Sequence, residues 1–147
     1  MQTFISNNEN DTMAFAARFA KTLQGGTVVA FIGGLGMGKT AFVRGALQGF
    51  DNPARVTSPT FALVNDYGGT PHIYHFDMYR VCDADDLYST GYFDYLNDAS
   101  VLFAEWSENI ADCLPDNTIF VKIEKGELDN QRIITVFTGD EYENFST

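Results

Sequence analysis

The sequence predicts an α/β fold of three layers: a mixed, partly parallel sheet with helices on its faces. Three observations lead there. The run from Thr27 to Ile32 is continuous and rich in β-branched residues, as a strand buried on both faces should be. It passes through a glycine-rich loop into a helical segment. Strands and helices then alternate through the first half of the chain, and strands dominate the second.

Taken in order, Asn10, Asp11 or Thr12 is expected to cap a first helix. Its apolar positions Phe15, Ala16, Phe19, Ala20 and Leu23 recur on one helical face. Gly25-Gly26 stops it. The buried strand follows, then a second helix from about Lys39 to Leu47 with Gly49 beyond its end. Thr60 to Tyr67 and His72 to Asp77 read as strands, with Gly68-Gly69 between them as a hairpin signal. Residues 83–97 read as short helical or turn-like pieces. Val101 to Trp106 is an apolar strand that ends in acid, and Ile119 to Ile123 with Arg132 to Phe137 form a closing hairpin. Residues 1–137 thus read as one domain, and 138–147 as a polar, acidic tail expected to fray.

The 147 residues suit a single domain with a core of its own, and an apolar share of 45% excludes wholesale disorder. Nine Lys+Arg stand against twenty Asp+Glu, for a formal charge of −11. Affinity for nucleic acid depends on cations that neutralise phosphates, so this chain is not expected to grip DNA, RNA or an anionic membrane by itself. Cys82 and Cys113 lack Cys-x-x-Cys spacing and form no zinc set with His72 and His75. No basic, apolar leader opens the sequence, and Val28 to Ile32 is far too short to span a membrane. The expectation is a cytoplasmic protein with free thiols.

The strongest chemical signal is Gly33-Gly34-Leu35-Gly36-Met37-Gly38-Lys39-Thr40, placed between the buried strand and the second helix. Its glycines let successive backbone N–H groups turn toward an anion, and the helix adds the positive end of its dipole. Lys39 can reach the β- and γ-phosphates of a nucleotide, and the Thr40 hydroxyl can ligate Mg²⁺. This is the phosphate loop of a P-loop NTPase-type fold. Such a site needs acids, and Glu105 and Asp77 each end an apolar strand. The plainer reading of either is a solvated carboxylate at a strand end. No Asn/Thr-Lys-x-Asp segment surrounds any lysine, so adenine is preferred to guanine. The five arginines are scattered, which weakens a small-molecule kinase reading.

Three more segments accompany the loop: Val56-Thr57-Ser58-Pro59-Thr60-Phe61, His75-Phe76-Asp77-Met78-Tyr79-Arg80, and Glu105-Trp106. In this order and at this length the chain resembles the TsaE family, small bacterial ATPases of tRNA threonylcarbamoyladenosine formation. The similarity runs from about residue 10 to residue 137. It implies that Gly34, Leu35, Gly36, Met37, Gly38, Lys39, Thr40 and Ala41 bind the phosphates of ATP. It also implies that Thr40 and Glu105 are Mg²⁺ ligands and that Asp77 positions Mg²⁺ or the attacking water, with Lys39, Asp77 and Glu105 as the catalytic set. Thr57, Ser58 and Thr60 would form a loop that senses the γ-phosphate, and Trp106 would lie by the nucleotide. Asn10 or Thr12, and Arg132, would contact the adenine side, and Arg80 would support the site or a partner contact. Gly34 replaces a frequent Asp of the family and Met37 a usual Ala. Neither change removes a backbone N–H.

The resemblance further implies a subunit that acts as a switch on TsaD-like and TsaB-like proteins. Their product is threonylcarbamoyl-modified adenosine beside the anticodon of tRNAs that read codons beginning with A. The acidic charge agrees with leaving tRNA to the partners. Two other readings of the residues stand beside it: a small-molecule kinase, and a nucleotide-binding module that does not depend on hydrolysis. His75 and Tyr79 read first as strand and packing residues, and Trp106 could equally be a core aromatic. Asp83, Asp85, Asp86, Asp94 and Asp98, interleaved with Tyr88, Tyr92, Phe93 and Tyr95, form either a solvated face or a docking surface for a partner.

Overall fold

In the computed structural model, seven strands form one sheet in the order β1-β7-β6-β2-β5-β4-β3. The structure describes residues 1–32, 38–56, 64–78, 85, 88, 95, 97–105 and 113–139. The strands are β1 (Gln2–Ser6), β2 (Thr27–Ile32), β3 (Val64–Gly68), β4 (His72–Asp77), β5 (Ser100–Glu105), β6 (Ile119–Lys125) and β7 (Arg132–Thr138). Helix α1 is Glu9–Ala20 and helix α2 is Lys39–Gly49. Strands β4, β5, β2 and β6 run parallel at the centre. Strand β3 lies antiparallel on β4, β7 on β6, and β1 on β7.

Alternation of side chains across the strands builds the layers. Val29, Phe31, Ile73, Val101 and Phe103 point to one face and pack with Phe15 and Phe19 of α1 and Phe42 of α2. The Phe42 ring is fully buried and meets Phe31 edge-on at 5.5 Å. Burying such a ring contributes about 1.5–3 kcal/mol. Val28, Phe76, Met78, Leu102 and Ala104 face the opposite way and pack with Tyr95, Cys113 and Leu114. The sheet therefore carries apolar cover on both faces, as the unbroken burial of β2 and β5 requires.

Several local expectations are corrected. The cap of α1 is Asn8, not Asn10, Asp11 or Thr12; its side chain accepts from the Asp11 N–H at 2.8 Å. The helix ends at Ala20, before Gly25-Gly26, which form the turn into β2. Helix α2 continues to Gly49 because that glycine faces the Ala17 backbone of α1 rather than ending the turn. Edge strand β1 was not foreseen, and β7 runs through Thr138. Cys113 is a free thiol, as expected, and Cys82 lies outside the described residues. No helix among the described residues is long and apolar enough to cross a membrane.

Candidate functional site

The parallel strands bring their C-terminal ends to one edge, where ligands of open α/β sheets bind. Strand β2 ends at Ile32, directly before the glycine loop, and α2 begins at Lys39. Gly38 precedes it at φ 99°, a left-handed conformation that glycine adopts without strain. Among the described residues no side chain caps this helix, and its first turn holds no acid, so the dipole at its start favours an anion.

One strand away, β5 ends in Glu105, and Glu105 is the register partner of Asp77 at the end of β4. The two acids identified separately in the sequence are thus neighbours. Lys39 is only 5% exposed, and its Nζ lies 4.0 Å from Glu105 Oε1. A buried ammonium needs a counter-charge or a bound anion, and Glu105 supplies the first. Glu105 Oε2 lies 2.9 Å from Nε2 of His75, whose ring is fully buried. The approach is close but out of line, so Nε2 makes no hydrogen bond there. On its other side, His75 Nδ1 shares a hydrogen bond of 3.2 Å with the Tyr67 hydroxyl.

A cavity of about 530 Å³ opens beside the start of α2, lined by Asn8, Glu9, Thr12, Gly38, Thr40, Ala41, Arg44, Asn130 and Arg132. That size suits a nucleoside. Thr12 and Arg132, distant in sequence, meet here. The Thr12 hydroxyl is held 2.7 Å from Ser6 Oγ, which ties α1 to β1. Arg132 donates to the carbonyls of Asp129 and Gln131 at 2.8 and 2.9 Å. Arg44 is paired with Glu9 at 2.7 Å across the cavity wall. Asn10 is exposed on α1 and is not part of this lining.

The structure therefore brings together Gly38, Lys39, Thr40 and Ala41 with Thr12 and Arg132, and sets Lys39 by Glu105, the register partner of Asp77. Gly34, Leu35, Gly36, Met37, Thr57, Ser58, Thr60, Tyr79, Arg80 and Trp106 lie outside the described residues. Sequence reasoning missed Asn8, Glu9, Arg44 and Asn130 as lining, and missed the contact of His75 with Glu105. The Asn8-x-x-Asp11 spacing was a legible signal for the first. Among the described residues, no three His, Cys, Asp or Glu side chains form a metal cage. The neighbouring strand-end carboxylates Glu105 and Asp77 match the one or two carboxylates that usually hold Mg²⁺ together with phosphates and water. Away from this edge, burial holds the Tyr74 hydroxyl above the usual tyrosine range, reinforced by Asp66 and Tyr95.

Strand β2, the glycine loop, α2 and an acid one strand over make this an α/β protein of the phosphate-loop type. The profile described as threonylcarbamoyl adenosine biosynthesis protein TsaE matches residues 6–134. The tRNA threonylcarbamoyladenosine biosynthesis protein TsaE of Haemophilus influenzae is 38% identical over 123 residues, covering 80% of this chain and 78% of that protein. Its namesake in Bacillus subtilis is 33% identical over 138 residues, covering 92% and 85%. The crystal structure of Bacillus subtilis YdiB superposes with a TM-score of 0.71 at 29% identity, covering 97% of this chain and 89% of that one. The chain belongs to the TsaE family.

Proposed function

We propose that this protein is a Mg²⁺-dependent ATPase subunit of tRNA threonylcarbamoyladenosine formation, acting as a switch on an assembly of TsaD-like and TsaB-like proteins. One observation carries the ATPase reading: buried Lys39 at the start of α2, 4.0 Å from the strand-end acid Glu105 and beside a cavity of nucleoside size. The printed names of the relatives support the pathway, and the charge of −11 supports leaving tRNA to the partners.

The glycine-rich segment and the N-terminal N–H groups of α2 would cradle the phosphates of ATP, with Thr12 and Arg132 on the nucleoside side. Lys39 would move from Glu105 to the β- and γ-phosphates. Thr40 and Glu105 would hold Mg²⁺, which would supply positive charge to neutralise the phosphates, and Asp77 would add a ligand or orient water. Attack by water in line with the leaving oxygen then needs little covalent chemistry from the protein. Arg44 is engaged by Glu9 and Arg132 by two carbonyls, so neither is placed to act as an arginine finger. Turnover should be slow for the isolated chain and faster in the complex.

Glu105→Ala tests this reading. The variant should still bind ATP but lose both hydrolysis and tRNA modification in a reconstituted assembly. Retained modification would contradict the ATPase reading in favour of a non-hydrolytic module. Phosphoryl transfer to an acceptor other than water would contradict it in favour of a kinase.

A further inference from the structure

We infer that His75 is a positioning residue for Glu105, the last link of a chain of polar groups that starts on the outer strand β3. The inference rests on the reading of Glu105 as an Mg²⁺ ligand. It starts from a buried polar atom that has a neighbour but no hydrogen bond: His75 Nε2 is fully enclosed, lacks an aligned acceptor among the described residues, and lies 2.9 Å from Glu105 Oε2. A buried ring N–H without an acceptor is costly, and a modest rotation of the carboxylate would bring this one into line.

The carboxylate beside Nε2 decides which nitrogen carries the proton, because a carboxylate only accepts: the ring proton belongs on Nε2. Asn65 donates from Nδ2 to the Tyr67 hydroxyl oxygen at 3.4 Å. With the ring proton on Nε2, Nδ1 accepts from the Tyr67 hydroxyl, 3.2 Å away. Nε2–H faces Glu105 Oε2, while Oε1 faces Lys39 at 4.0 Å. Once Lys39 turns to phosphate and the carboxylate rotates into line, His75 would hold one carboxylate oxygen and leave the other for the cation. Pairing in register places the chain: Asn65 opposes His75 between β3 and β4, and β4 lies beside β5. Partners behind a metal-binding carboxylate typically tune metal affinity by about 10- to 100-fold.

Two measurements test it, using Tyr67→Phe, which removes a hydroxyl and keeps the ring, and His75→Gln. In the nucleotide-free protein, ¹⁵N-histidine spectra should show His75 protonated on Nε2 with Nδ1 bare, and Tyr67→Phe should shift the Nδ1 signal. A proton on Nδ1 overturns the chain whether or not the protein binds nucleotide. Calorimetric ADP titrations with and without Mg²⁺ form the second arm. Both variants should lose about 10- to 100-fold of the affinity gained from Mg²⁺ and keep the Mg²⁺-free affinity. Neither should change it further in a Glu105→Gln background. Equal weakening with and without Mg²⁺, or additivity with Glu105→Gln, overturns the role of His75. If the unaltered chain binds no ADP, the ATPase reading fails and the spectra still decide the chain.

Discussion

Lys39 and Glu105 show how one residue's burial depends on another's charge. With 5% of its surface exposed, Lys39 is compensated by a carboxylate at 4.0 Å. At the opposite end of the cavity, Arg132 is fixed by the carbonyls of Asp129 and Gln131, so its guanidinium forms a preset wall. Arg132→Ala should therefore weaken ATP binding about tenfold, ~1.4 kcal/mol, without altering the melting temperature. Calorimetry alongside thermal unfolding checks this, and unchanged affinity would remove Arg132 from the site. Much at this scale was legible. The strand–loop–helix context named Lys39 and Thr40, and strand-end acidity named Asp77 and Glu105. The His75–Glu105 contact was not, because it depends on pairing between strands whose register no local pattern encodes.

Helices α1 and α2 pack closely where side chains are absent. A Cβ on Gly45 would run into the backbone of Met13, and one on Gly49 into that of Ala17. Gly45→Ala should then destabilise the fold by about 1–3 kcal/mol, despite the helix preference for alanine. Urea unfolding measures it; a stabilised variant would show that the two helices can move apart freely. The sequence pattern located both helices but misplaced their ends. Asn8 outcompetes Asn10, Asp11 and Thr12 as cap because Asp11 supplies the bonded N–H and in turn accepts from the Asn7 N–H at 3.0 Å. Gly49 carried a stop signal in sequence, yet its reason is proximity to another helix. Strand β1 is a short edge strand whose partner, β7, comes from the other end of the chain, so neither alternation nor turn chemistry announced it.

Across the whole molecule, the parallel centre of the sheet aims its acids and the start of α2 at one edge, while the flanking antiparallel strands widen the sheet. The segment 83–98 is acidic and aromatic; Asp85 and Tyr88 are exposed, and Tyr95 packs on the core. Reversing charge at Asp85 and Asp86 should weaken association with the proposed TsaD-like and TsaB-like partners while sparing nucleotide affinity. Unchanged association would return this face to ordinary solvent exposure. The phosphate loop and the alternation of elements sufficed to name the architecture from sequence, because both are local. Which residues line the cavity depended on bringing α1, α2 and the β6–β7 hairpin together, a long-range result of packing.

The central claim is that Lys39 and the start of α2 form a nucleotide phosphate site. The most direct test titrates ATP and ADP with Mg²⁺ into the protein and its Lys39→Ala variant, following heat and the fluorescence of its single tryptophan, Trp106. Saturable binding that the variant loses is the predicted result. Equal binding by both proteins, or none by either, would contradict it.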